Sequence, residues 1–216
     1  PTRTPLDMGG YFDIPPLDKG ENIRREICFA IEEMGLHPEH SHHESGHGQN
    51  EIDCHYAGPL KTADHVMMFK QIVRAVAMRN GIHASFLPKP LPDQAGSGLH
   101  INFSLVPVGG GTNAFDEAGA EYGLSSLARQ CLGGLIAHHE GLAVMSAPTV
   151  NSYKRLAASH SASGTTWSPV WKAVGPNNRT CLVRSVAGRL EWRLPDPSCN
   201  IYAALAATLA AGLDGM

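Results

Sequence analysis

Between Asp18 and Gly35 apolar side chains recur at Ile23, Ile27, Ile31 and Met34, a spacing that gathers them on one stripe of a helix. Asp18 is the expected N-cap and Gly35 the expected stop. Ala63–Asn80 repeats that period, turns Val66, Phe69, Ile72, Val73 and Val76 inward, and ends at Gly81. A third helix is expected over about 124–144 and a last, Ala/Leu-rich one over about 200–212. Period-2 stretches predict strands at 37–43 and 49–56, joined as a hairpin through Ser45-Gly46-His47-Gly48, and further strands at 83–87, 99–106, 180–186 and 189–194. Pro1–Pro16 reads as an extended lead-in, and Pro148 to Trp171 as mostly irregular. Turn-linked strand pairs with helices between them predict an α+β fold, an antiparallel sheet with flanking helices, over 1–216 as one domain.

Composition narrows the setting. The chain has 216 residues and a net charge of −3 without any basic block, so a nucleic-acid partner is not expected. The longest apolar runs, such as Leu205–Leu213, are too short to span a bilayer, and no membrane partner is expected. Five widely spaced cysteines without a CxxC pair suit reduced thiols and a cytoplasmic location.

The reactive groups follow from strand geometry, because residues i and i+2 share a face. His42 and Glu44 share one, as do Glu51 and Asp53 across the turn. His100, Asn102 and Ser104 line up near residue 100, and Arg189, Glu191 and Arg193 near 190, with apolar residues on the opposite side of each strand. Taken singly, each set fits a solvated sheet face with salt bridges. Together they predict one concave sheet face on which Glu44, Glu51, His100 and Glu191 converge. Carboxylates with a histidine suit a hard divalent cation such as Mg²⁺ or Mn²⁺, and arginines on that face suit phosphate or carboxylate. That combination points to phosphoryl transfer. A zinc hydrolase using His42, His43, His47 and His55 is the rival, although no HExxH helix is present.

The wording of these segments resembles the glutamine synthetase family. His42-His43-Glu44 with Gly48-Gln49-Asn50-Glu51-Ile52 is similar to its HHEV and GQ.E signature. Phe86-Leu87-Pro88-Lys89-Pro90 followed by Gly96-Ser97-Gly98-Leu99-His100 resembles its ATP-binding region. Residues 148–156 match PTVNSYKRL, Asn178-Arg179-Thr180 with Arg184 match NR(S/T)…R, and residues 189–198 match R-x-E-x-R-x-P-D.

The resemblance implies an ATP-dependent glutamate–ammonia ligase acting through γ-glutamyl phosphate. It implies Glu44 and Glu51 as ligands of one Mg²⁺ or Mn²⁺, and His100 and Glu191 as ligands of another that handles ATP. Gly96, Arg155 and Arg193 would hold glutamate, with Arg155, Arg179 and Arg193 carrying catalysis. Arg179, Arg184 and Arg189 would neutralise the transferring phosphate, and Tyr56, Ser104, Arg184 and Arg189 would bind the nucleotide. Family members form homo-oligomeric rings.

Departures from the family pattern imply that an N-terminal β-grasp domain, two glutamate ligands on an ExE segment and the C-terminal helices lie outside this chain. A catalytically inactive piece is therefore an alternative. Ser161 stands where the family carries its ammonia-site glutamate, and Ala95 where it carries asparagine before GSG. The surrounding residues 163–169 resemble the branch of γ-glutamylmethylamide synthetases, so the acceptor is ammonia or a small alkylamine.

Overall fold

In a computed structural model, which describes residues 4–157, 167–186 and 188–216, the first helix, α1 (Glu21–Glu33), starts just after Asp18. Its N-cap is Gly20, because the buried Asp18 carboxylate is spent on the Gly20 amide at 2.9 Å and on Arg24 at 2.7 Å. At the other end Gly35 takes a φ of +84°, which glycine adopts without cost. Gly35 then donates to the Glu32 carbonyl and Leu36 to that of Ile31, a Schellman stop. The stop folds Leu36 back into the core with Ile27, Ile31 and Val76, and leaves Met34 exposed, contrary to the stripe read from the sequence. The second helix, α2 (Pro59–Arg79), begins earlier than the apolar period indicated, with Pro59 in its first turn. It ends by the same device, Ile82 donating to Ala77.

Between these helices, β1 (Pro38–His43) and β2 (Asn50–Cys54) pair antiparallel, with His42 opposite Glu51 and His43 opposite Asn50. Among the described residues they form a sheet of their own. Residues 83–87, expected as a strand, join no sheet among the described residues; Phe86 packs edge-on to Phe69. The described residues up to Phe86, with Pro90–Ala95, form one compact unit.

The second unit comprises Leu87–Lys89 and the described residues from Gly96 to Met216. Its four strands are β3 (Ile101–Phe103), β4 (Trp171–Pro176), β5 (Cys181–Val186) and β6 (Arg189–Trp192), in the order β3-β6-β5-β4. The sheet is mixed: β6 runs antiparallel to both neighbours, whereas β4 and β5 are parallel. Val183, Trp192 and Ile101 face one another across three strands and are buried, with Leu190 on the same face. Leu132, Leu135 and Leu142 from α3 (Ser126–Ala137) and α4 (His139–Ser146) join that core, as do Ala204 and Ala211 of α6 (Ile201–Asp214). The helix expected over 124–144 is thus two, broken at His138, whose ring bonds Asp214 at 2.7 Å.

Within the stretch read as irregular, α5 (Val150–Leu156) forms on a capping box: Thr149 and Ser152 each accept the other's backbone N–H. All five cysteines are free thiols, and among the described residues no helix is long and apolar enough to cross a membrane.

Helices α3 and α6 approach closely because glycines stand at the contact. A Cβ on Gly212 would lie 2.5 Å from Cys131 Sγ, and one on Gly134 would overlap the Ala211 carbonyl. We expect Gly134→Ala to cost about 1–3 kcal/mol by forcing the helices apart, read as a lower urea midpoint at unchanged slope.

Candidate functional site

In the first unit the hairpin register brings candidate ligands together. His42 faces Glu51 across the strands, and its Nε2 lies 3.7 Å from Glu51 Oε2 and 3.8 Å from Glu44 Oε1. Neither distance is a hydrogen bond, and this buried nitrogen has no hydrogen-bond partner among the described residues. One ligand atom from each of His42, Glu44 and Glu51 lies within 4.8 Å of the others. Around an ion with bonds of about 2.1 Å, ligand atoms stand about 3.0–4.2 Å apart, so the three residues fit a divalent cation. Glu44 is aimed by the Ser45 amide, which donates to its Oε2 at 2.5 Å and leaves Oε1 toward His42.

The imidazole is clamped by the ring of Phe12, stacked at 4.4 Å and 5°, with Tyr11 edge-on at 5.6 Å. Phe12 adopts a φ of +62°, uncommon for a bulky residue, and donates its amide to the His43 carbonyl at 3.0 Å. Burial, with the negative charges of Asp53 and Glu44, pushes the Glu51 carboxyl up to about 8. A divalent cation would relieve that repulsion.

His43 points elsewhere, its Nε2 2.8 Å from Asp7 and its Nδ1 2.6 Å from the Glu44 carbonyl. Burial alone would lower the His43 pKa and raise that of Asp7; their mutual hydrogen bond, with amides of Lys19, Gly9 and Gly48 on Asp7, reverses both directions. His55 bonds the Tyr56 carbonyl and stacks on Tyr56, whose side chain is exposed. The four histidines of the zinc reading therefore do not gather: only His42 joins a ligand group among the described residues.

The second unit holds a cluster of opposite sign. Glu191 on β6 is only 3% exposed, opposite Asn102 on one side and Arg184 on the other. Its Oε2 pairs with Arg184 at 2.7 Å; its Oε1 pairs with Arg193 and lies 3.3 Å from His100 Nδ1. Desolvation first, then the guanidiniums of Arg193, Arg155, Arg184 and Arg179, hold the His100 imidazole below its usual range. With about a third of the side chain reached by solvent the desolvation is only partial, and the lowered pKa favours the neutral ring that can ligate. Arg189 donates to Asn102 at 3.1 Å, and Arg179 lies 6.0 Å over the Trp167 ring.

Arg155 is buried, and its guanidinium donates to the carbonyls of Arg193, Leu194 and Pro195 at 2.9–3.2 Å. Burial lowers its pKa to about 10. Gly96 and Gly98 pack on it: a Cβ at Gly96 would stand 2.9 Å from Arg155 Cγ, and one at Gly98 2.9 Å from Nη2. Gly98, not singled out in the sequence, thus lies as tightly against this arginine as Gly96 does.

Of the residues picked from the sequence, Glu44, Glu51 and Tyr56 belong to the first unit. Gly96, His100, Ser104, Arg155, Arg179, Arg184, Arg189, Glu191 and Arg193 belong to the second. The single concave sheet expected for the four ligands is not formed, because β1 and β2 pair only with each other among the described strands. Ser104 is exposed beyond the end of β3, and Ser161 lies outside the described residues. The sequence put His42 on the face of Glu44 and offered it as a ligand only in the zinc reading, not beside Glu44 and Glu51, where the structure brings it. Asp7, 36 residues from His43, carried no local signal.

The family model for the catalytic domain of glutamine synthetase matches residues 1–216. A glutamine synthetase of Clostridium saccharobutylicum is 47% identical over 220 residues, covering 100% of this chain and 48% of that relative. The enzyme of Thermotoga maritima is 45% identical, over 98% of this chain and 47% of its own length. The chain thus spans about half the length of the curated relatives it matches. Among solved structures, GmaS in complex with ADP superposes with a TM-score of 0.89 at 43% identity, over 98% of this chain and 50% of that one. Glutamine synthetase of Plasmodium falciparum superposes at 0.84 and 30% identity, over 97% and 40%.

The raised Glu51 pKa fixes a pH dependence for the metal-free protein. A carboxyl that is harder to ionise folded than unfolded stabilises the fold below about 4.5, and that contribution is lost as pH rises through about 8. Solvent reaching 43% of the side chain screens the repulsion, so the effect is modest. In EDTA, Glu51→Gln should melt with the wild type near pH 5 and above it near pH 9. Added Mn²⁺ should raise the melting temperature of the wild type more than that of the variant. Calorimetry across that pH range checks both.

Proposed function

Because the chain belongs to the glutamine synthetase family through its catalytic domain, we propose that it carries the catalytic residues of an ATP-dependent ligase joining an amine to the γ-carboxylate of glutamate. The observation that carries this reading is the group of four guanidiniums around His100 and Glu191. Two buried carboxylates, Glu191 and the Asp196 that acts on Arg155, do not balance them, and the surplus positive charge suits phosphate and carboxylate. The ADP complex of the similar GmaS structure supports a nucleotide as ligand.

In this reading Glu44 and Glu51 hold one Mg²⁺ or Mn²⁺, and His100 with Glu191 a second. Divalent cations there would neutralise ATP phosphate charge and orient it for in-line transfer. Arg179, Arg184 and Arg189 stabilise the charge that builds on the γ-phosphoryl group as glutamate attacks it. Tyr56 and Ser104 lie by the nucleotide, and Gly96 allows close approach of glutamate. Arg193 and Arg155 act at the glutamate carboxylates; the bonds of Arg155 to three carbonyls also hold the 193–195 backbone in place. ADP leaves as γ-glutamyl phosphate forms; the amine then attacks its acyl carbon, expels inorganic phosphate and loses a proton to give the amide. A cytoplasmic homo-oligomeric ring, with further ligands from outside these residues, completes the proposal.

The acceptor is ammonia in the primary reading and a small alkylamine in the second, which Ser161 favours. A neutral side chain neither concentrates ammonium nor takes its proton, and general-base assistance is worth on the order of 10²–10⁴ in rate. One methyl group in a pocket contributes about 1–3 kcal/mol, so a methylamine preference would be roughly ten- to a few-hundredfold.

The test is ATP-dependent phosphate release by the complete protein containing this chain, with glutamate and either amine at matched free-base concentrations. Release that needs glutamate and a divalent cation is expected; its absence sinks the ligase reading. Equal or better efficiency with ammonia assigns glutamine synthesis, and a methylamine preference assigns the alkylamide product. Ser161→Glu should move the preference toward ammonia, and no movement would show that this loop is not the amine site.

A further inference from the structure

The hairpin that carries Glu44 and Glu51 is braced from the N-terminal segment by one carboxylate. The Asp7 side chain is fully buried and takes the His43 ring at 2.8 Å. It also accepts three backbone amides: Gly9 at 3.1 Å, Lys19 at 3.0 Å and Gly48 at 3.0 Å. Gly48 lies in the turn between β1 and β2, and His43 is the last residue of β1, so Asp7 grips both sides of the turn.

The grip reaches Glu44 through two contacts. His43 Nδ1 stands 2.6 Å from the Glu44 carbonyl, and the Glu44 amide donates to the Gln49 carbonyl at 2.8 Å, next to Gly48. The fit tolerates no slack, since a Cβ on Gly9 would come 2.8 Å from His43 Nε2. A hairpin of two short strands is marginal by itself, and a metal ligand must be oriented by the bonds behind it. A second carboxylate or a water would satisfy His43 equally well on the surface; a buried one bonded to two separate segments does more than satisfy it.

We propose that Asp7, acting through His43, is a positioning residue that holds Glu44 and Glu51 in register for their divalent cation. The inference rests on the cation site proposed above. It assigns Asp7 no contact with substrate or metal; its work is to keep the turn from splaying when the two carboxylates repel each other.

The experiment measures Mn²⁺ affinity of the complete protein from the free-ion electron paramagnetic resonance signal, together with thermal unfolding. Asp7→Asn keeps the shape and removes the charge, and should weaken Mn²⁺ binding about tenfold, the low end of losses seen when bonds behind metal ligands are cut. His43→Asn should do the same, and the double variant should lose little more than either single, because both act along one path. Ile31→Val, in the core of the same unit, should lower the melting temperature without changing Mn²⁺ affinity. Should Asp7→Asn fail to fold, Gly9→Ala, which keeps the carboxylate and displaces the ring, provides the same readout. Folded variants that bind Mn²⁺ as tightly as the wild type overturn the proposal alone, as does an equal loss in Ile31→Val. A wild-type protein that binds no Mn²⁺ overturns the cation site itself, and this inference with it.

Discussion

Glu191 is a carboxylate in the interior of a sheet, and removing such a charge from water is costly unless partners replace the solvent. Arg184 and Arg193 replace it, one on each oxygen. Because Arg184 stands opposite Glu191 across β5 and β6, the ion pair also holds the strand register. Arg193 is turned inward by that bond and donates to the Trp167 carbonyl; Arg155 then ties down the carbonyls of residues 193–195. Gly96 and Gly98 lie against Arg155 because a side chain at either position would collide with it. Loss of one partner would leave a buried charge uncompensated, which costs about 3–5 kcal/mol in comparable pairs.

The first unit solves the opposite problem. Glu44, Glu51 and Asp53 crowd negative charge, and among the described residues no arginine forms an ion pair with Glu44 or Glu51, whereas the His42 ring stands near both. A hairpin assembled in this way is held by its surroundings: Asp7 through His43 on one side, the Phe12 stack on His42 on the other. Taken each by itself, the hairpin's crowded carboxylates suit a cation and the guanidinium cluster of the second unit suits anions. Each unit keeps its unbalanced charge out of its apolar core, which lies on the other face of the strands.

Much of the architecture was legible because its causes are local. The stripes of α1 and α2, the glycines that stop them and the alternation along β5 and β6 act within a few residues. One misreading came where a nonlocal partner decided: residues 83–87 alternate as a strand does but find no strand to pair with among the described residues. The other was of a local signal: α5 stands among polar residues, and its capping box of Thr149 and Ser152 was not read as a helix start.

The candidate site divides along the same line. From the sequence alone came the reactive residues, their faces on each strand, and, through five motifs in order, the family. Tertiary structure decided which of those residues meet. It put Glu44 with His42 and Glu51 on a separate two-stranded sheet, gave both oxygens of Glu191 to arginines, and joined Asp7 to a histidine 36 residues away. The physical reason is that periodicity and capping are properties of a short segment, whereas ion pairing and burial depend on which segments pack together, and sequence separation does not encode that.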